Sequence, residues 1–159
     1  MRLEPRNVVR IAASAALLAL AARIAFPDPR LSVTVFDVGQ GDAILVQCGR
    51  RQLLIDGGPD ATVLSGLGRA MPFFDRDIDA VVLTHPHADH FIGLVSVLAR
   101  YRVHRLLVSR MEGEAPEFAA FADAASRAGL APVRIRAGDR VAIGDCGSAD
   151  VLWPEDDRA

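Results

Sequence analysis

The segment Thr84-His85-Pro86-His87-Ala88-Asp89-His90 holds three of the chain's four histidines, with a carboxylate beside the last of them. Neutral imidazole is the commonest protein ligand for a borderline divalent metal, and a carboxylate adds the negative charge that such an ion needs. Pro86 has no N–H to give to a helix, so His85 and His87 are expected on an extended loop rather than on one helix face. Alternate residues of extended chain point apart, and the loop must curl to bring both rings together. Asp89 is expected to cap the following helix, with His90 in its first turn facing the same point. These residue types at this spacing predict a metal site.

The elements around it can be read coarsely. Leu31–Phe36 alternates apolar and polar residues, Ala43–Val46 and Gln52–Ile55 flank a Cys48-Gly49-Arg50 turn, and Ile78–Leu83 is a short β-branched run. Helical spacing covers Ala61–Met71 and His90–Tyr101, and Pro116 and Gly129 bracket another helix. Arg105–Val108, Val133–Arg136, Val141–Ile143 and Asp150–Leu152 read as further strands. The order β-β-β-α-β-α-β-α-β-β-β suits an α/β (α+β) sheet layered with helices on one face.

The motif His85-x-His87-x-Asp89-His90, after the apolar run Ile78–Leu83, resembles the signature of metallo-β-lactamase-fold hydrolases. Phe36-Asp37-Val38-Gly39-Gln40-Gly41-Asp42-Ala43 and Leu54-Ile55-Asp56-Gly57-Gly58 sharpen the likeness, which is to the hydrolase domain of ComEC-type DNA-uptake proteins and covers roughly residues 31–153. The resemblance implies an αββα sandwich and two divalent ions, zinc first and manganese second. It gives His85 and His87 to one ion and Asp89 and His90 to the other. A metal-bound hydroxide would be the nucleophile, so no serine or cysteine is required. Catalytic roles fall to Asp89, on the metal, and to Asp56, which would orient a ligand histidine; the alternative for Asp56 is a turn-forming role in Asp56-Gly57. Asp37 and Asp42 are candidates for supporting contacts near the metals, with an Asx turn or a cap as the alternative. The implied activity is phosphodiester hydrolysis of single-stranded or duplex DNA linked to uptake. Lactam, thioester or small-ester hydrolysis, or a membrane-anchored binding module without turnover, are the rivals. Family members carry a second half that supplies another histidine, a bridging aspartate and a last histidine. This chain has no histidine after His104 and so reads as the first half of such a domain and the amino-terminal part of a larger protein; a half-domain that pairs with another chain and a degenerate remnant of the fold are the alternatives.

At 159 residues with 51% hydrophobic content the chain can build one core, and its net charge of −2 creates no global attraction to nucleic acid. All 18 basic residues are arginine. His104 reads as a solvated histidine, Asp79 as strand punctuation, and Arg100, Arg102 and Arg105 as a wet helix end. Cys48 and Cys146 read as lone buried thiols, with a disulfide open to a domain that faces an oxidising space. Residues 1–30 form a separate segment from the domain at 31–159. Arg2, Arg6 and Arg10 precede an uncharged run from Ile11 to Ala22, closed by Pro27-Asp28-Pro29. This predicts an apolar helix over residues 8–26 that anchors the protein in the plasma membrane, with the domain on the extracytoplasmic side; a cleaved secretory signal is the alternative. No stretch identifies a protein partner. With half a sandwich present, Val33, Val35, Ile44, Val46, Leu54 and Val81 are expected on strands short of cover.

Overall fold

The computed structural model describes residues 4–25, 30–109 and 116–154. Helix α1 (Pro5–Ala25) precedes β1 (Leu31–Val35), β2 (Ile44–Cys48) and β3 (Arg51–Ile55), which run antiparallel to one another. From β3 onward the neighbours are parallel: β5 (Ala80–Leu83), β7 (Leu106–Val108) and β8 (Pro132–Arg134) complete a six-stranded sheet in the order β1-β2-β3-β5-β7-β8. Parallel strands need long crossovers, and these carry α2 (Val63–Ala70), α3 (Ala88–Leu98) and α4 (Phe118–Arg127). The expected strand 78–83 is two: β4 (Asp77–Ile78) leaves to pair with β6 (Arg102–Val103), because Asp79 turns inward. The Asp79 carboxylate accepts the Gln52 backbone N–H at 2.8 Å and pairs with Arg51 at 2.6 Å, so it fixes the start of β3 as well as punctuating its own strand.

Side chains on the central strands alternate between two cores, as a pleated ribbon requires. Leu45, Leu54, Val81, Leu83, Leu106 and Val108 face the helices, where Phe91, Phe118 and Phe121 form a ring-on-ring cluster between α3 and α4. Val46, Leu53, Ala80, Val82 and Leu107 face the other way, onto Ile135, Val141 and Ile143. This second face is covered by the ribbon β9 (Arg140–Ala142) and β10 (Ser148–Asp150), with a short 3-10 turn, Gly144–Cys146, between them. Burial on both faces explains the near-continuous apolar runs of β5 and β7. Of the six strand residues expected to lack cover, Val46, Leu54 and Val81 are buried and Ile44 half-buried; only Val33 and Val35, on edge strand β1, stay exposed. The helices cover Leu54 and Val81, and the ribbon supplies the cover over Val46 and Ile44 that the sequence did not advertise.

Two further expectations are corrected. Cys48 and Cys146 are not lone thiols: they form a disulfide between β2 and the 3-10 turn, with Cα atoms 5.9 Å apart and a sequence separation of 98. Among the described residues no helix is long and apolar enough to cross a membrane, so α1 does not meet the expectation of a span over residues 8–26. Alanine, which fills much of that helix, is weakly apolar, and Arg10 and Arg23 fall within residues 8–26. The helix nonetheless exposes Val8, Val9, Ile11, Leu17, Leu18 and Leu20. Phe26 and the Pro27-Asp28-Pro29 linker lie outside the described residues.

Candidate metal centre

The histidine loop begins at the carboxyl end of β5, beside the carboxyl ends of β3 and β7, the edge where α/β sheets place their sites. β3 ends in Asp56, which adopts φ 57°, a left-handed conformation unusual for a residue other than glycine. Such backbone costs about 1–3 kcal/mol and persists where its surroundings impose it. Here the Asp56 N–H donates to Val82 O at 2.9 Å, and the turn aims a buried carboxylate back at the loop. Asp56 Oδ1 accepts the Thr84 N–H at 2.8 Å, while Oδ2 lies 2.6 Å from Thr84 Oγ1 and 2.9 Å from His90 Nδ1.

Helix α3 presents His90, and its approach depends on glycine. A Cβ on Gly93 would sit 1.9 Å from Gly57 O, so only glycine lets the helix lie on the turn that follows Asp56. Gly57 N–H in return donates to His90 O at 2.8 Å. The expected cap is corrected: His87, extended at φ −94° and ψ 145°, is the N-cap, and Asp89 lies within the first turn, where a carboxylate still complements the helix dipole.

The loop does curl. The His85 ring centroid lies 4.5 Å from that of His87 and 3.9 Å from that of His90, and Asp89 Oδ1 is 3.9 Å from His90 Nε2. Burial, then the neighbouring His90 and His87 rings, hold the His85 pKa below the ordinary imidazole value, against the pull of Asp56 and Asp89; this favours the neutral form a metal requires. Asp56, His85 and His90 bring ligand-type atoms within 4.8 Å of one another. We nevertheless separate Asp56 from the ligands: its oxygens already take three hydrogen bonds from Thr84 and His90, and a carboxylate so engaged orients rather than binds. The rings of His85, His87 and His90 and the Asp89 carboxylate make a nitrogen-rich set with one anionic oxygen, the donor chemistry that suits a divalent transition ion, although His87 and Asp89 lie outside the group that converges within 4.8 Å.

The loop after β1 packs on this cluster. A Cβ on Gly41 would meet Asp89 O at 1.9 Å, and Gln40 Nε2 lies 3.5 Å from Asp89 Oδ2. Asp37 makes an Asx turn, its Oδ1 accepting Gly39 N–H at 3.3 Å, and is exposed, as is Asp42. Neither joins the cluster through a hydrogen bond that the structure records, whereas Gln40, between them, does. His104 is half-exposed and lies 3.0 Å from Asp77, on the β4–β6 pair.

The metallo-beta-lactamase superfamily model matches residues 36–153. The chain belongs to that superfamily. This superfamily member is 27% identical over 177 aligned positions to "ComE operon protein 3" of Bacillus subtilis, covering 98% of itself and 23% of that relative. It is 36% identical over 74 residues to "Competence protein ComA" of Neisseria gonorrhoeae, covering 46% of itself and 11% of the relative. The "Exodeoxyribonuclease WalJ" of Streptococcus pneumoniae is 33% identical over 60 residues, which is 38% of this chain and 22% of that one. The chain thus spans under a quarter of the curated relatives it matches. Among solved structures, the Rm3 metallo-beta-lactamase superposes with a TM-score of 0.52 at 18% identity, covering 74% of this chain and 47% of that enzyme. Divalent-metal binding and hydrolysis are the general chemistry of that superfamily.

Proposed function

We propose that this chain contributes to a metal-dependent phosphodiesterase acting on DNA, in a protein of the competence type. The observation that carries it is the His90 ring, held at Nδ1 by Asp56 with its Nε2 turned 3.9 Å from the Asp89 carboxylate. His85 and His87 would hold one ion, and Asp89 and His90 a second. Bound divalent ions polarise a phosphoryl oxygen and bring the pKa of water toward neutrality. The chain's own residues supply the rest: Asp56 orients His90, and Gly41 and Gln40 seat the backbone and carboxylate of Asp89. DNA as substrate is supported by relatives named for competence and for exodeoxyribonuclease activity. Zinc suits the nitrogen-rich donors, and manganese suits the carboxylate.

The test incubates the protein, as purified from its host, with end-labelled single-stranded and duplex DNA and with a chromogenic lactam and a thioester, each with zinc or manganese. Cleavage of DNA that is lost in Asp89→Asn supports the proposal. Turnover of the lactam or thioester alone replaces it with small-ester chemistry, and tight DNA binding without cleavage replaces it with a binding module.

We further propose that the domain lies on the extracytoplasmic side of the plasma membrane, delivered by the basic and apolar residues 2–26. The Cys48–Cys146 disulfide supports this, because such bonds persist in oxidising compartments. Protease access in spheroplasts with carbonate extraction checks it. A protein protected from protease and free in the cytoplasm overturns the proposal; one released with the periplasm identifies a cleaved signal.

A further inference from the structure

Thr84 stands between the buried carboxylate and the first histidine. Its hydroxyl oxygen lies 2.6 Å from Asp56 Oδ2 and 3.0 Å from His85 Nδ1. A threonine hydroxyl has one hydrogen, and a carboxylate oxygen can only accept. That hydrogen is therefore committed to Asp56, and the oxygen turns its lone pairs to His85. The contact with Nδ1 is a hydrogen bond only if Nδ1 carries the hydrogen, which leaves Nε2 with its lone pair free. The backbone of Thr84 is fixed as well: its N–H donates to Asp56 Oδ1 at 2.8 Å, and its carbonyl accepts the Ser109 hydroxyl at the end of β7. The residue is exposed as a whole, yet every polar atom it owns is engaged.

We propose that Thr84 is a positioning residue that relays the Asp56 charge to His85, so that one buried aspartate sets the same tautomer on two histidines, on His90 directly and on His85 through the hydroxyl. The inference rests on the metal-site reading above, and it makes Nε2 the ligand atom of both rings. Loss of the carboxylate that orients a ligand imidazole typically costs about 10–100-fold in metal affinity; here a hydroxyl extends one carboxylate's reach to a second ring.

The test uses the full chain without metal first. Long-range proton–nitrogen NMR should show hydrogen on Nδ1 of both His85 and His90. In Thr84→Val, which removes the hydroxyl and keeps the shape, His90 should be unchanged while His85 shifts toward the Nε2-protonated or mixed form. Thr84→Ser should restore the original spectrum. Zinc competition against a chromogenic chelator should show about a 10–100-fold loss in Thr84→Val and recovery in Thr84→Ser. Hydrogen on Nε2 of His85 in the unaltered protein would overturn the relay, whatever the variants do. So would an unchanged His85 spectrum and unchanged zinc affinity in Thr84→Val. Absence of zinc binding in the unaltered protein would instead defeat the metal-site reading, with the tautomer result still deciding the relay.

Discussion

On its helical side the six-stranded sheet lies under three helices and keeps Leu45, Leu54, Val81, Leu83 and Leu106 at 0% exposure; on the other side a two-stranded ribbon leaves Val46, Val82 and Leu107 at 7%, 8% and 5%. The helical side is closed by large rings and leucines that interlock. The ribbon side offers Ile135, Val141, Ile143 and a few smaller neighbours, and a disulfide ties its turn to β2. A thin cover with little apolar area gains from a covalent link, because the link removes freedom from the unfolded chain instead of adding burial. The metal loop belongs structurally to the helical side, since α3 carries His90 and packs on the turn after Asp56.

The comparison can be broken most directly at Phe121, which is fully buried among Phe91 and Phe118. Phe121→Ala should lower stability by about 3–5 kcal/mol in urea unfolding, the range for deleting a buried aromatic ring. Removing the disulfide by paired Cys48→Ser and Cys146→Ser should cost about 2–4 kcal/mol. Zinc affinity should stay as it was, because the staple touches no part of the metal loop; a fall in affinity would show that the two sides are coupled. Gly93→Ala inserts a methyl against Gly57 O, and overpacking of this kind costs about 1–3 kcal/mol. Because it pries α3 from the Asp56 turn, zinc affinity should drop with it, the reverse of the disulfide result. The smallest effect is expected at the exposed edge: Val33→Thr with Val35→Thr should change stability by no more than about 0.5 kcal/mol. Sedimentation should show reduced self-association in that variant, since exposed apolar edge strands recruit one another.

The motif from His85 to His90 announced the site because imidazole and carboxylate chemistry is local to a few neighbouring residues. Asp56 stood out too, at a strand end before two glycines, and in the structure its carboxylate lies 2.9 Å from His90 Nδ1. Thr84 was not legible, since a threonine before a histidine carries no signal until a carboxylate from another strand arrives beside it. The same holds for the Cys48–Cys146 pair: nothing in a spacing of 98 residues shows that a ribbon folds back over β2. The strand break at Asp79 was read as punctuation because its partners, Gln52 and Arg51, come from far upstream. Gln40 was passed over between two aspartates, whose charge made them look the better candidates. The expectation that half a sandwich would leave Val46 short of cover failed for a related reason, as the covering ribbon uses short, exposed-looking strands with few apolar residues.

Asp56, Thr84 and Ser109 stand at the ends of three adjacent parallel strands, 28 and 25 residues apart along the chain. During synthesis the histidines leave the ribosome before the strand that pins Thr84 exists, so a nascent chain offers loose imidazoles that bind by affinity rank rather than by shape. Geometry can discriminate among ions only after β7 has docked. For a chain that is exported before it folds, the choice of metal would then be made outside the cytoplasm. The ion would reflect the supply where the last strand closes, not where the polypeptide was made.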